Sequence, residues 1–161
     1  MAMPETKVPL PGGSRESRND VLALIGVGGD LIVAAVEGKV SELFGDTIDK
    51  WYANPSEGKK KRLQYLCNLL GTAFPPVGSL HDQLFQRAAS AVIECKRFRA
   101  RMPAIIVHLF SAEKAWFEDY AAFVSLLGGS PELDRMSEVD VPDGFTLMLG
   151  WASGNETYLK A

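Results

Sequence analysis

An α/β fold, one mixed central β-sheet flanked by helices, is what this sequence predicts, and three observations predict it. Two runs rich in branched apolar residues, 21–27 and 30–40, are separated by Gly28-Gly29, the pattern of a tight β-hairpin. Two longer segments then carry apolar residues at spacings of three and four, the period of a helix with one buried stripe. A continuous apolar run, residues 104–110, follows them and has the length and composition of a strand covered on both sides. A hairpin, a helical crossover and a further strand make a mixed sheet.

The elements are justified in chain order. Residues 7–10 predict a short edge strand bounded by Pro9 and Pro11. Pro11-Gly12-Gly13-Ser14 is a loop leading into the hairpin. From Phe44-Gly45 the chain reads as an irregular connection through Trp51 and Asn54-Pro55. Ser56 caps a helix that runs to Leu70, with Leu63, Leu66, Cys67 and Leu70 inside and Gly71 closing it. Phe74-Pro75-Pro76 breaks the chain, and Ser79 with Asp82 three residues on opens a longer helix that buries Leu84, Ala88, Ala91, Val92 and Cys95. The opposite edge of that helix, Gln83, Arg87, Ser90 and Glu94, reads as a solvated stripe. Beyond the 104–110 strand, Ser111 caps a third helix with Trp116, Phe117, Tyr120, Phe123, Val124 and Leu127 inside and Gly128 at its end, and residues 146–151 form a last strand.

A chain of 161 residues with 47% hydrophobic and 23% charged residues supports one domain over residues 1–161 with a substantial core. No stretch reaches the roughly 20 apolar residues that span a bilayer, so no membrane is expected. The first residues lack an apolar signal core, and Cys67 and Cys95 have neither zinc-site nor disulfide spacing, which reads as buried thiols in a cytoplasmic protein. The net charge of −3 argues against nucleic-acid binding through the overall field. Charge is unevenly spread, however: residues 1–110 hold 14 Lys and Arg against 11 acids, and residues 111–161 hold 3 against 9. Arg15 and Arg18, Lys59-Lys60-Lys61-Arg62, and Lys96, Arg97, Arg99 and Arg101 are basic clusters suited to phosphates.

If Gly28 and Gly29 are the turn and Val27 faces Asp30, opposed residues have numbers with a constant sum, and Asp20 falls across from Glu37. Directly opposed side chains share a face, and Glu37 and Lys39 point the same way by the period of two. Two carboxylates and a lysine then converge. Such a pair needs a shared proton or a divalent cation, and an oxygen-loving ion such as Mg²⁺ or Mn²⁺ would bind a substrate phosphate and activate a water.

Asp20 followed by Glu37-Gly38-Lys39 resembles the signature of the PD-(D/E)XK nuclease superfamily, an Asp on one strand and an acid-x-Lys triplet on the next. The resemblance implies a restriction-endonuclease-like core over residues 7–110, with 111–161 added to it. It also implies metal binding by Asp20, Glu37 and the backbone of Gly38, with Glu16 as a further metal-binding acid, and catalysis by Lys39 together with Asp20 and Glu37. The partner it implies is nucleic acid. Gln83 and Arg87, on the helix that lies against the active site in that superfamily, are expected to orient substrate, and Lys59 and Lys60 to bind its backbone. The chain as a whole also resembles bacterial proteins of an uncharacterised family.

Other chemistries lack their residues. Gly26-Val27-Gly28-Gly29 has Leu31 where a dinucleotide loop needs its third glycine, and Leu31-Ile32-Val33 prefers strand. No nucleophile elbow or Walker loop is present, and His81 and His108 stand apart, the latter reading as a core histidine. The expectation is therefore a divalent-metal-dependent nuclease. The alternative is a non-catalytic interaction module on the same fold with a vestigial acidic site.

Overall fold

Gly28 and Gly29, at φ +58° and +92°, make the left-handed two-residue turn on which the rest of the sheet is registered. It joins β2 (Ser17–Val27) to β3 (Asp30–Lys39), which pair antiparallel from Val27 opposite Asp30 to Val21 opposite Val36. The computed structural model describes residues 1–40, 42–110 and 116–155. Outside β2 lies the antiparallel edge strand β1 (Ala2–Val8), where Pro4 is tolerated because an edge strand has one side without a ladder.

After β3 the chain makes a short helix α1 (Ile48–Trp51), then α2 (Glu57–Leu70) and α3 (Asp82–Arg97), and returns as β4 (Met102–Leu109) parallel to β3. Helix α2 begins as its sequence dictates: the Ser56 hydroxyl accepts from the Lys59 N–H at 3.3 Å, and Gly71 ends it at φ +73°. Helix α4 (Phe117–Leu126) leads to the edge strand β5 (Met136–Asp140) and to β6 (Thr146–Ser153), which inserts between β4 and β5. The product is an α/β fold with a mixed, open six-stranded sheet in the order β1-β2-β3-β4-β6-β5.

The core lies on one sheet face. Leu22, Val33 and Ala35 meet Ala91 and Cys95 of α3, while Ile105, Val107, Leu109, Leu147, Leu149 and Trp151 meet Phe85, Ala88, Ala89 and Val92 of α3 and Tyr120, Phe123 and Val124 of α4. Phe85 and Phe123 pack edge to face at 5.1 Å, and Tyr120 and Phe117 close on the Trp151 ring at 5.4 and 5.1 Å. Both thiols are buried and free, and burial pushes the Cys95 thiol up to about 11. The other sheet face carries Ala34 and Ala104, buried yet outside both clusters, among the half-buried Ile32, Val36, Ile106 and Met148.

Several elements differ from the sequence reading for identifiable reasons. β1 starts five residues earlier than expected, because pairing to β2 holds a segment with no alternating pattern of its own. α1 and β5 were not expected; each is too short to show a period. Helix α3 begins after His81 rather than at Ser79, and no side chain caps it. Its supposed solvated stripe is buried at Arg87, Ser90 and Glu94. Residues 117–153 are no appendage, since β6 lies inside the sheet and α4 supplies core. Ser111, expected to cap the third helix, lies outside the described residues.

Phe85 is fully buried between α4 and the sheet. Phe85→Ala is expected to cost about 3–5 kcal/mol of stability, read as a lower urea midpoint with an unchanged slope.

Candidate functional site

The hairpin register stops one step short of the expected carboxylate pair. The β2–β3 ladder ends at Val21 and Val36, and the β1–β2 ladder skips Glu5 and Asp20, where Glu5 adopts φ +46°. Alternation slips at this point: Ser17 and Asn19 are buried, Asp20 is exposed, and Leu22 is buried again. Two successive residues, Asp20 and Val21, thus turn away from the helices, the effect of a strand irregularity on facing. The Asp20 carboxylate accepts from the Gly38 N–H at 2.8 Å and lies 3.7 Å from where a Gly38 Cβ would stand. A Gly38 Cβ would project opposite to Glu37 and Lys39. Asp20 and Glu37 therefore occupy opposite faces of the sheet, which corrects their predicted convergence.

Glu37 instead anchors a buried ionic network. One of its carboxylate oxygens accepts from Lys39 Nζ at 2.8 Å and the other from Arg87 Nε at 2.5 Å. Arg87 Nη1 donates to the Ser17 hydroxyl at 3.0 Å, Lys39 Nζ donates to Gln83 Oε1 at 3.2 Å, and the same ammonium lies 5.5 Å from the centre of the Phe44 ring. Glu37, Lys39 and Arg87 are 3, 4 and 6% exposed. Ions taken this far out of water are tolerated only when each has a charged or hydrogen-bonding partner, and here one carboxylate serves two cations, with Ser17 and Gln83 accepting from their remaining donors. The arrangement ties β3 to the first turns of α3 and to the start of β2.

Both Glu37 oxygens are engaged by cations and Asp20 is on the other face, so these residues do not fit a shared divalent ion. Among the described residues no three His, Cys, Asp or Glu side chains come together as a metal site. Gly38 offers its N–H to Asp20, and Glu16 is exposed at the rim of a different cleft. Gln83 and Arg87 do lie beside the signature triplet, as expected, but as members of the network. Lys59 turns back to the Trp51 carbonyl at 2.6 Å and sits over that ring, and Lys60 pairs with Glu57 at 2.7 Å. His108 is half-buried on the open sheet face, its ring 4.2 Å from that of Phe110.

Two adjoining clefts open beside the network, sharing Arg15, Trp51 and Arg62. One, of about 290 Å³, is lined by Glu16, Asp46, Asp82, Gln83 and Gln86; the other, of about 440 Å³, by residues 12–15, Ser56 and Lys59. Burial first, and the neighbouring Asp46 second, push the Asp82 carboxyl up to about 6. Its Oδ2 accepts from Gln86 Nε2 at 2.8 Å. Sequence reasoning had grouped Arg15 and Arg62 with basic clusters but missed Ser17, Asp46, Asp82 and Gln86. No local spacing marks those four; only the docking of α3 on the hairpin and the 44–47 loop gathers them.

These features define an α/β protein with a buried Glu-Lys-Arg network under a polar, two-part cleft. The chain belongs to the family described as Domain of unknown function (DUF6946), whose model matches residues 1–156. No curated protein and no solved structure matches it. No described helix is long and apolar enough to cross a membrane.

Removing one member of the network strands its partners. Glu37→Gln is expected to destabilise the fold by about 3–5 kcal/mol, measured by urea unfolding, whereas Asp20→Asn on the exposed side should cost less than about 1 kcal/mol. Asp82 gives a pH signature. Its folded pKa is raised from 3.8 to about 6, so the folded state holds the proton more tightly and this contribution is lost as pH rises from about 4 to 6. Relative to wild type, Asp82→Asn should become more stable by about 2 kcal/mol between pH 4 and pH 7. A stability difference between the two proteins that does not change with pH would refute the assignment.

Proposed function

We propose that this chain is a non-catalytic binding module in which the acid-x-lysine triplet holds the fold together. The observation that carries the reading is the double engagement of Glu37, one oxygen on Lys39 and the other on Arg87, in a place closed to solvent. A metal-binding carboxylate needs a free oxygen directed at the ion, and a lysine that activates water needs access to it. Lys39, 4% exposed and held by Glu37 and Gln83, has little.

The nuclease reading rests on the resemblance of the triplet alone. It requires Asp20 and Glu37 to share an ion, and the slip between Asn19 and Leu22 separates them. Nucleic acid as a partner, and Mg²⁺ or Mn²⁺ as a cofactor, accordingly receive no support from these side chains.

The test is an assay of purified protein on single-stranded DNA, duplex DNA and RNA with millimolar Mg²⁺ or Mn²⁺. No cleavage is expected, and Lys39→Ala is expected to lower the melting temperature by several degrees, since it leaves Glu37 with one cation fewer. Metal-dependent cleavage that disappears in Lys39→Ala while the melting temperature is unchanged would overturn the reading.

A further inference from the structure

Arg62 is an unusual arginine for its surroundings. It is 7% exposed, and burial, with Arg15 nearby, lowers its pKa. Its Nε donates to the Pro11 carbonyl at 3.1 Å and its Nη2 to the carbonyls of Leu10 and Arg15 at 3.3 and 2.5 Å. Among the described residues no carboxylate lies within ion-pair distance of Arg62, Arg15 or Lys59. Among the described residues Nη1 of Arg62 has no hydrogen-bond partner, and it is not sealed from solvent. A buried guanidinium whose charge no acid answers implies an anion from outside the chain.

The surroundings fit that demand. Arg15, Lys59 and Arg62 line the 440 Å³ cleft without any acidic residue, and Gly12, Gly13, Ser14 and Ser56 complete its wall. The loop is pressed onto the first turn of α2: a Cβ on Gly12 would stand 2.1 Å from the Gly58 carbonyl oxygen, and one on Gly58 would stand 2.6 Å from that of Gly12. Gly12 also adopts φ +88°, which a side chain disfavours. Both glycines are thus required to bring the loop against the start of a 14-residue helix, whose dipole favours negative charge. Next door, the smaller cleft offers Asp46, Asp82, Gln83 and Gln86, groups suited to hydroxyls.

We infer that this two-part cleft binds a small phosphate monoester with a hydroxylated organic part, the phosphate against Arg15, Lys59 and Arg62. Arg15, Trp51 and Arg62 line both halves. A small ligand suits the cleft volume, and the net charge of −3 disfavours a polyanion. This ligand class rests on the binding-module reading for its purpose, while the chemistry of the cleft stands without it.

The probe is ribose 5-phosphate, measured by calorimetry and thermal melting on the full chain at matched ionic strength. Arg62 holds three carbonyls, so its replacement risks the fold, and the double variant Arg15→Gln/Lys59→Gln is used instead. Ribose 5-phosphate is expected to bind and raise the melting temperature, ribose to do neither, and the double variant to bind about tenfold or more weakly. Three results would each overturn the inference: no binding of ribose 5-phosphate, equal binding by the double variant, or tighter binding of an oligonucleotide lacking a terminal phosphate. Failure of binding without nuclease activity would remove only this site. Cleavage abolished by Lys39→Ala without loss of stability, with ribose 5-phosphate still bound, would remove only the binding-module reading.

Discussion

The buried carboxylate of Glu37 is the constraint around which the rest of this molecule is arranged. Placed on a central strand and almost wholly out of water, it meets two positive partners, and these come from different distances in sequence: Lys39 two residues on and Arg87 fifty residues on. The first is inevitable once β3 forms. The second exists only when α3 lies across the hairpin, so this ion pair fixes the position of the helix as well as contributing to its stability. Arg87 then reaches Ser17, drawing the start of β2 to the same side of the sheet.

That pull has a cost in regularity. Ser17 faces the helices to meet Arg87, with Asn19 two residues on buried as well, yet Leu22 faces them too in order to meet Ala91 and Cys95. A strand with strict alternation cannot satisfy both, and the chain yields at Asp20-Val21, opposite the strained backbone of Glu5. Asp20 is turned outward as a result and caps the Gly38 N–H. The separation of the two acids is thus a consequence of the network. Its members, Glu37 and Lys39, are the residues that made the triplet resemble a nuclease signature.

The same docking of α3 produces the cleft. Holding the helix over the hairpin brings its first turn, with Asp82, Gln83 and Gln86, next to the 44–47 loop, where Asp82 N–H donates to the Asp46 carbonyl at 3.0 Å. Arg62 performs the corresponding task for α2 by collecting the carbonyls of the loop between β1 and β2. Two arginines, one answered by an acid and one not, therefore tie α3 to the hairpin strands and α2 to the loop between β1 and β2.

By itself the sequence determined the α/β class, the Gly28-Gly29 hairpin with its register from Val27–Asp30 to Val21–Val36, the Ser56 to Gly71 helix, and the strand around residues 104–109. Each of these is encoded by neighbours in the chain through turn chemistry, caps and apolar period. Tertiary structure alone decided where the hairpin register breaks, that Arg87, Ser90 and Glu94 are buried, and that β6 lies inside the sheet. It also decided that Asp20 and Glu37 face apart. These outcomes depend on what packs against what, and a buried charge can choose a partner fifty residues away with no trace in local spacing. The facing of Asp20 was legible only as far as the ladder stayed regular; one slip of a period-two pattern reverses a side chain, and the slip was imposed from across the sheet by α3.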